Sequence, residues 1–135
     1  MKTLLLLCTA LAVSGCYWQR QDTIATTAGS GGWQLVEVDE SPIAYRATIS
    51  FPSKNRIAGE APCNSFLGKQ AMPLPWFQVE NLAVTERACP EMASEAAFFE
   101  ALDAMRFAES SPQTLLLTGE GGRSMLFAAV NAEAD

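Results

Sequence analysis

From Ile43 to Phe51 the chain alternates. Ile43, Tyr45, Ala47, Ile49 and Phe51 stand on one side, and Arg46, Thr48 and Ser50 on the other. A period of two puts one face of a strand in a core and the other in water. Such a strand needs paired neighbours and something to cover its apolar face. The rest of the chain offers both. Trp33–Asp39 reads as a strand with Trp33, Leu35 and Glu37 on one face, and Arg56–Glu60 and Phe66–Met72 read as two more. Trp76–Val84 contains a further strand with Phe77, Val79 and Leu82 as core candidates, and Arg106–Glu109 is another short one. Thr114–Thr118 and Ser124–Val130 form a hairpin through Gly119-Glu120-Gly121-Gly122.

Turn chemistry separates these pieces. Glu40-Ser41-Pro42, Pro52-Ser53-Lys54-Asn55 and Ser110-Ser111-Pro112 are turns, and Pro73 and Pro75 end a strand. Gly59 suggests a strand end or bulge, and Asn64 suits a left-handed turn position. One helix starts near Pro90-Glu91 and ends near Met105. Phe98, Leu102 and Met105 lie along one stripe, widened by Phe99 and Met92. Short strands with a single helix and no repeat predict an α+β domain. Glu95 breaks the apolar arc of that helix. A buried acid must be hydrogen-bonded, paired or shifted in pKa. The expectation is a clamp to an arginine or a backbone amide, holding the helix to Thr85–Cys89, with Arg87 as the partner. The sharper alternative makes Glu95 a catalytic acid facing Glu37, Glu60 or Glu80.

Composition narrows the chemistry. The chain has 135 residues, a net charge of −6 and no histidine. Serine and cysteine catalysis through histidine, and histidine-ligated zinc, are therefore excluded. The acidic balance disfavours nucleic acid. Scattered acids form no calcium-loop pattern, so neither a metal nor a cofactor is expected. Trp76, between prolines, is either an exposed interface aromatic or a lid over the sheet edge.

The amino terminus reads as an address. Lys2 precedes an apolar run, Leu4–Val13, that is shorter than the roughly 20 residues of a membrane-spanning helix. Val13-Ser14-Gly15-Cys16 resembles the lipobox of bacterial lipoproteins. That resemblance implies a signal peptide over residues 1–15 and acylation of Cys16. Tyr17, where aspartate would signal inner-membrane retention, points to the outer membrane, with the inner membrane as the alternative. Residues 16–31 then form a flexible tether, residues 32–130 the folded domain, and residues 131–135 a frayed tail. Cys8 leaves with the signal peptide and Cys16 takes lipid. Cys63 and Cys89 remain, an even pair in an oxidising compartment. They form either a structural bridge or a reactive thiol, the latter unsupported by a C-x-x-C spacing or a histidine base.

Several strings together resemble one family. They are Gly32-Trp33-Gln34-Leu35, Ile57-Ala58-Gly59, Cys63-Asn64-Ser65-Phe66, Thr85-Glu86-Arg87-Ala88-Cys89, Glu95 with Phe98-Phe99 and Leu102, and Leu115, Leu117, Met125 and Phe127. This pattern is similar to the META domain of HslJ-like bacterial lipoproteins. The resemblance implies a small, strongly curved antiparallel sheet, an incomplete barrel with one packed helix, and a disulfide between Cys63 and Cys89. It implies no catalytic activity. Pro62 stands where that family usually has glycine, which leaves the turn before Cys63 open. The expected role is a stress-linked binding or assembly factor of the cell envelope, held to the membrane by its lipid. Its partner would be an envelope protein or an apolar ligand in the groove of the sheet. The alternatives are an inhibitor of a lysozyme-type cell-wall hydrolase and a carboxylate-based hydrolase.

Overall fold

A computed structural model describes residues 22–29 and 31–130. The expected signal peptide, the acylated Cys16 and the tail at 131–135 lie outside the described residues. The described chain opens with a single helical turn, α1 (Ile24–Thr27). Strands β1 (Gly32–Val38), β2 (Ser41–Pro42), β3 (Thr48–Ser50), β4 (Arg56–Glu60), β5 (Ser65–Lys69) and β6 (Glu80–Val84) follow. After the long helix α2 (Met92–Ala104) come β7 (Met105–Ser110), β8 (Thr114–Gly119) and β9 (Ser124–Ala129). Eight strands run in the order β6-β5-β4-β3-β1-β9-β8-β7, all neighbours antiparallel, with β2 paired to β1 alone. The sheet curls into a half-barrel and α2 packs against it, so the expected α+β architecture is the observed one.

The alternation at 43–51 sets the burial but not the hydrogen bonding. Ala47, Ile49 and Phe51 are buried and Ile43 and Tyr45 half-buried, yet only Thr48–Ser50 is strand. The tight turn is made one step earlier than expected, by Asp39 and Glu40, both at positive φ, and Ser41-Pro42 pairs back onto β1. Between the Gln34–Thr48 and Glu37–Pro42 pairs, five residues (43–47) face only two of β1, so this stretch bows out of a continuous ladder and keeps single bonds such as Leu35 N–H to Ala47 O at 2.9 Å.

The core holds Trp33, Leu35, Ile49, Phe51, Ile57, Leu115, Leu117, Met125 and Phe127 from the sheet, with Phe98, Ala101, Leu102 and Met105 from α2 and its exit. Phe66, Phe98 and Phe99 form an edge-on and tilted aromatic group with centroids 5.2–5.7 Å apart. Leu82 and Met92, both expected in the core, are exposed. β6 is an edge strand, and its exposure decides the first. Met92 opens the helix, before the stripe reaches the sheet.

Two further expectations change. Residues 22–28 are not tether. Thr23 bridges to Pro73, Leu74 N–H donates to Asp22 O at 2.9 Å, and Ile24 is fully buried in the core. The folded domain therefore begins about ten residues earlier than residue 32, because one isoleucine in a Thr/Ala/Gly stretch finds an apolar pocket. Gly59 is neither a bulge nor a strand end. It sits inside β4, opposite Ile49 and Phe66. A Cβ there would overlap the Thr48 carbonyl oxygen and come within 2.7 Å of the Phe66 ring. Gly59→Ala should therefore lower stability by about 1–3 kcal/mol, the usual cost of overpacking. Urea denaturation checks this, expecting a lower midpoint at an unchanged m-value.

Candidate functional site

The one acid in the apolar arc of α2 is where sequence and structure meet. Glu95 lies in the first turn of the helix and is 5% exposed. Its Oε2 accepts from the backbone N–H groups of Cys63 and Asn64, both at 2.8 Å, and its Oε1 accepts from Asn64 Nδ2 at 2.8 Å. The carboxylate therefore caps the tip of the β4–β5 hairpin. Glu60 pairs with Ser65, and Ala61 N–H donates to Asn64 O at 2.8 Å, so the tip is tight. Pro62 fits it, because the amide hydrogens in use belong to residues 61, 63 and 64 and none is needed at 62.

Asn64 is the hub. Its Nδ2 also donates to Arg87 O at 3.0 Å, and its Oδ1 accepts from Thr85 Oγ1 at 2.9 Å and from Arg87 N–H at 2.6 Å. Ser65 N–H donates to Thr85 Oγ1 at 3.2 Å. The arginine expected to hold Glu95 thus joins through its backbone, while its side chain is turned to an exposed position. Glu95 reaches the Thr85–Cys89 segment through Asn64 and through Cys63, never through the arginine side chain. Nor is Asn64 left-handed. The asparagines at positive φ are Asn55 and Asn81, and Asn64 serves by its amide instead. Nothing in the sequence but its place beside Cys63 marked it. A disulfide joins Cys63 to Cys89, Cα atoms 5.9 Å apart, and ties the same hairpin tip to the segment leading into α2.

Burial alone would push the Glu95 carboxyl up, but the bond from Asn64 and the two backbone N–H groups outweigh it and hold it below the ordinary 4.5. The site's chemistry follows. A carboxylate ionised at neutral pH, with both oxygens occupied, is poorly suited to be a general acid. Two of the three candidate second acids are elsewhere engaged: Glu60 accepts from Ser65 Oγ at 2.9 Å, and Glu80 pairs with Lys69 at 3.6 Å. Cys63, Cys89 and Glu91 bring three ligand-type atoms together, but both sulfurs belong to the disulfide. The arrangement is a structural lock on a hairpin.

The core side chains of the sheet and of α2 pack together between them. Depressions open on the outer surface. One of about 500 Å³ lies over β4–β6 and is lined by Lys54, Arg56 and Lys69 among others. Another of about 270 Å³ lies beside β7, lined by Met72, Trp76, Phe77, Gln78, Arg106, Phe107 and Glu120. Trp76 is half exposed, packed at a tilt against Phe107 with centroids 5.0 Å apart, and its segment pairs with β7. It is both alternatives at once, an exposed aromatic and a cover for the sheet edge. Sequence reasoning missed Gln70, which is buried. Its Oε1 accepts from Gln78 N–H at 3.2 Å and shapes the loop that carries Trp76.

A curled antiparallel half-barrel, closed by one helix whose buried acid and neighbouring disulfide secure a hairpin tip, defines a class of small α+β domains built around a lock. The chain matches the META domain over residues 25–132 and belongs to that family. Among solved structures, it resembles an NMR structure of a protein from Burkholderia xenovorans. The two are 18% identical with a TM-score of 0.64, covering 95% of this chain and 99% of that one. It is equally similar to a crystal structure of a DUF4847 family protein from Bacteroides vulgatus: 18% identity, TM-score 0.64, covering 80% of this chain and 97% of that one. These likenesses speak for the fold alone. None of the curated proteins matches the chain.

Proposed function

We propose that this protein is a non-enzymatic lipoprotein of the bacterial cell envelope, anchored through Cys16 and facing the periplasm from the outer membrane. Its role would be to bind or help assemble other envelope components under stress. The observation that carries the reading is how the site is spent. The most reactive-looking acid and both remaining cysteines of the folded domain are consumed in holding one hairpin. A disulfide across this fold suits an oxidising compartment, and the lipobox-like ending at Cys16 supplies the anchor. Work is then left to the outer surface, which favours binding over turnover.

The test is direct. Cys16→Ala should move the protein from the membrane pellet to the soluble periplasmic extract. The amino-terminal peptide of the parent should carry the mass of a diacylglyceryl and an acyl group. An unmodified peptide beginning upstream of Cys16 would overturn the reading. Crosslinking in intact envelopes, followed by mass spectrometry, should then recover a defined partner.

A further inference from the structure

Lipoproteins are commonly pictured as hanging clear of the bilayer on a tether. Here the tether is short. Only five residues, or six Cα–Cα steps, lie between Cys16 and Asp22, whose carbonyl is already hydrogen-bonded to Leu74. Fully extended, they reach roughly 20 Å. The segment that receives the incoming chain carries the surface's exposed aromatic. Trp76 lies two residues past Leu74, its N–H donating to Pro73 O at 2.9 Å, and it packs at a tilt against Phe107 beside Met72. All three are exposed: Trp76 by 50%, Phe107 by 41% and Met72 by 37%. Arg106 lines the same depression. Trp with a neighbouring cation is the side-chain set favoured at the headgroup level of a bilayer.

We propose that the Met72–Trp76–Phe107 patch rests in the headgroup layer of the membrane that anchors Cys16, so that lipid and patch together fix how the domain faces the periplasm. The inference rests on the anchor reading. One apolar patch adds little affinity by itself. Held within roughly 20 Å of the surface by the anchor, it binds at high effective concentration. The net charge of −6 makes a zwitterionic surface the better partner than an anionic one.

Tryptophan quenching tests this in the full-length acylated protein, reconstituted into vesicles of phosphatidylcholine brominated near the top of its acyl chain. Trp18→Phe leaves Trp33, buried in the core, and Trp76. The further change Trp76→Phe leaves Trp33 as the reference. An apolar face lying about 5–10 Å into the interface should bring Trp76 within reach of the bromines, with about twofold quenching against unbrominated vesicles. Trp33 should be unmoved. Quenching of Trp76 by aqueous iodide but not by bromolipid would overturn the proposal. So would protection from both, which means that protein covers the patch. Mass spectrometry of the residue 16 peptide in the same sample separates the two failures. Acylated Cys16 with unquenched Trp76 defeats the patch alone; unmodified Cys16 defeats the anchor and the patch with it.

Discussion

Glu95→Ala should lower the melting temperature by more than about 12 °C. The change strips the acceptor from three donors at once: Cys63 N–H, Asn64 N–H and Asn64 Nδ2. Each donor left without an acceptor costs about 1–3 kcal/mol, so the three together cost about 3 kcal/mol or more. A domain near 100 residues loses about 4–8 °C per kcal/mol. Glu95→Gln separates acceptor chemistry from packing. It keeps the volume, yet whichever way its amide is turned, an NH₂ faces an N–H donor. It should cost less than alanine and still about 1–3 kcal/mol. Differential scanning calorimetry checks both, and a Glu95→Ala protein that melts like the parent would sink the lock.

The same carboxylate sets a pH dependence with a definite sign. Its folded pKa is held below the ordinary 4.5, so at acid pH the unfolded chain takes up the proton first. The contribution is complete above the unfolded value and fades as pH falls through the folded one. The parent should lose stability on that acid limb. Glu95→Gln, with nothing to titrate there, should show a flatter limb. Equal slopes would place the acid sensitivity elsewhere.

Loss of the disulfide is the second large effect. The bridge spans a sequence separation of 26 residues, which the chain-entropy account values at about 3.5 kcal/mol. Cys63→Ala/Cys89→Ala, or the parent with reductant, should therefore unfold at markedly lower urea. The two locks also act on one residue. Cys63 gives its N–H to Glu95 and its sulfur to Cys89. With the bridge gone, the hairpin tip can relax, and Glu95 has less to hold. The double-mutant cycle between Glu95→Ala and disulfide removal should therefore show a coupling of about 0.5–3 kcal/mol. Strict additivity would mean that each lock works on its own segment.

Local chemistry made much of this legible. Turn residues and period-two runs located β4, β5, β8 and β9, and the stripe Phe98–Leu102–Met105 located α2. A helix announces itself within a dozen residues, and a hairpin within about ten. Glu95 was visible as an acid on an apolar face, because that conflict is written in spacing alone. Its partners were not. Coulombic intuition pointed to Arg87, but a buried carboxylate can be satisfied by amide hydrogens brought in from more than thirty residues away. Only the register of β4 against β5 puts them there.

The sequence by itself determined the short strands, the single helix, the cysteine pair and the misplaced acid, because each depends on neighbours along the chain. The tertiary structure alone decided that Asn64 is the hub and that Ile24 belongs to the core. It alone decided that Gly59 must have no side chain and that Trp76 lies beside the incoming chain. Those facts depend on which segments meet in space. Hydrogen bonds and steric exclusion act across a few ångströms whatever the distance along the backbone, so no local pattern encodes them.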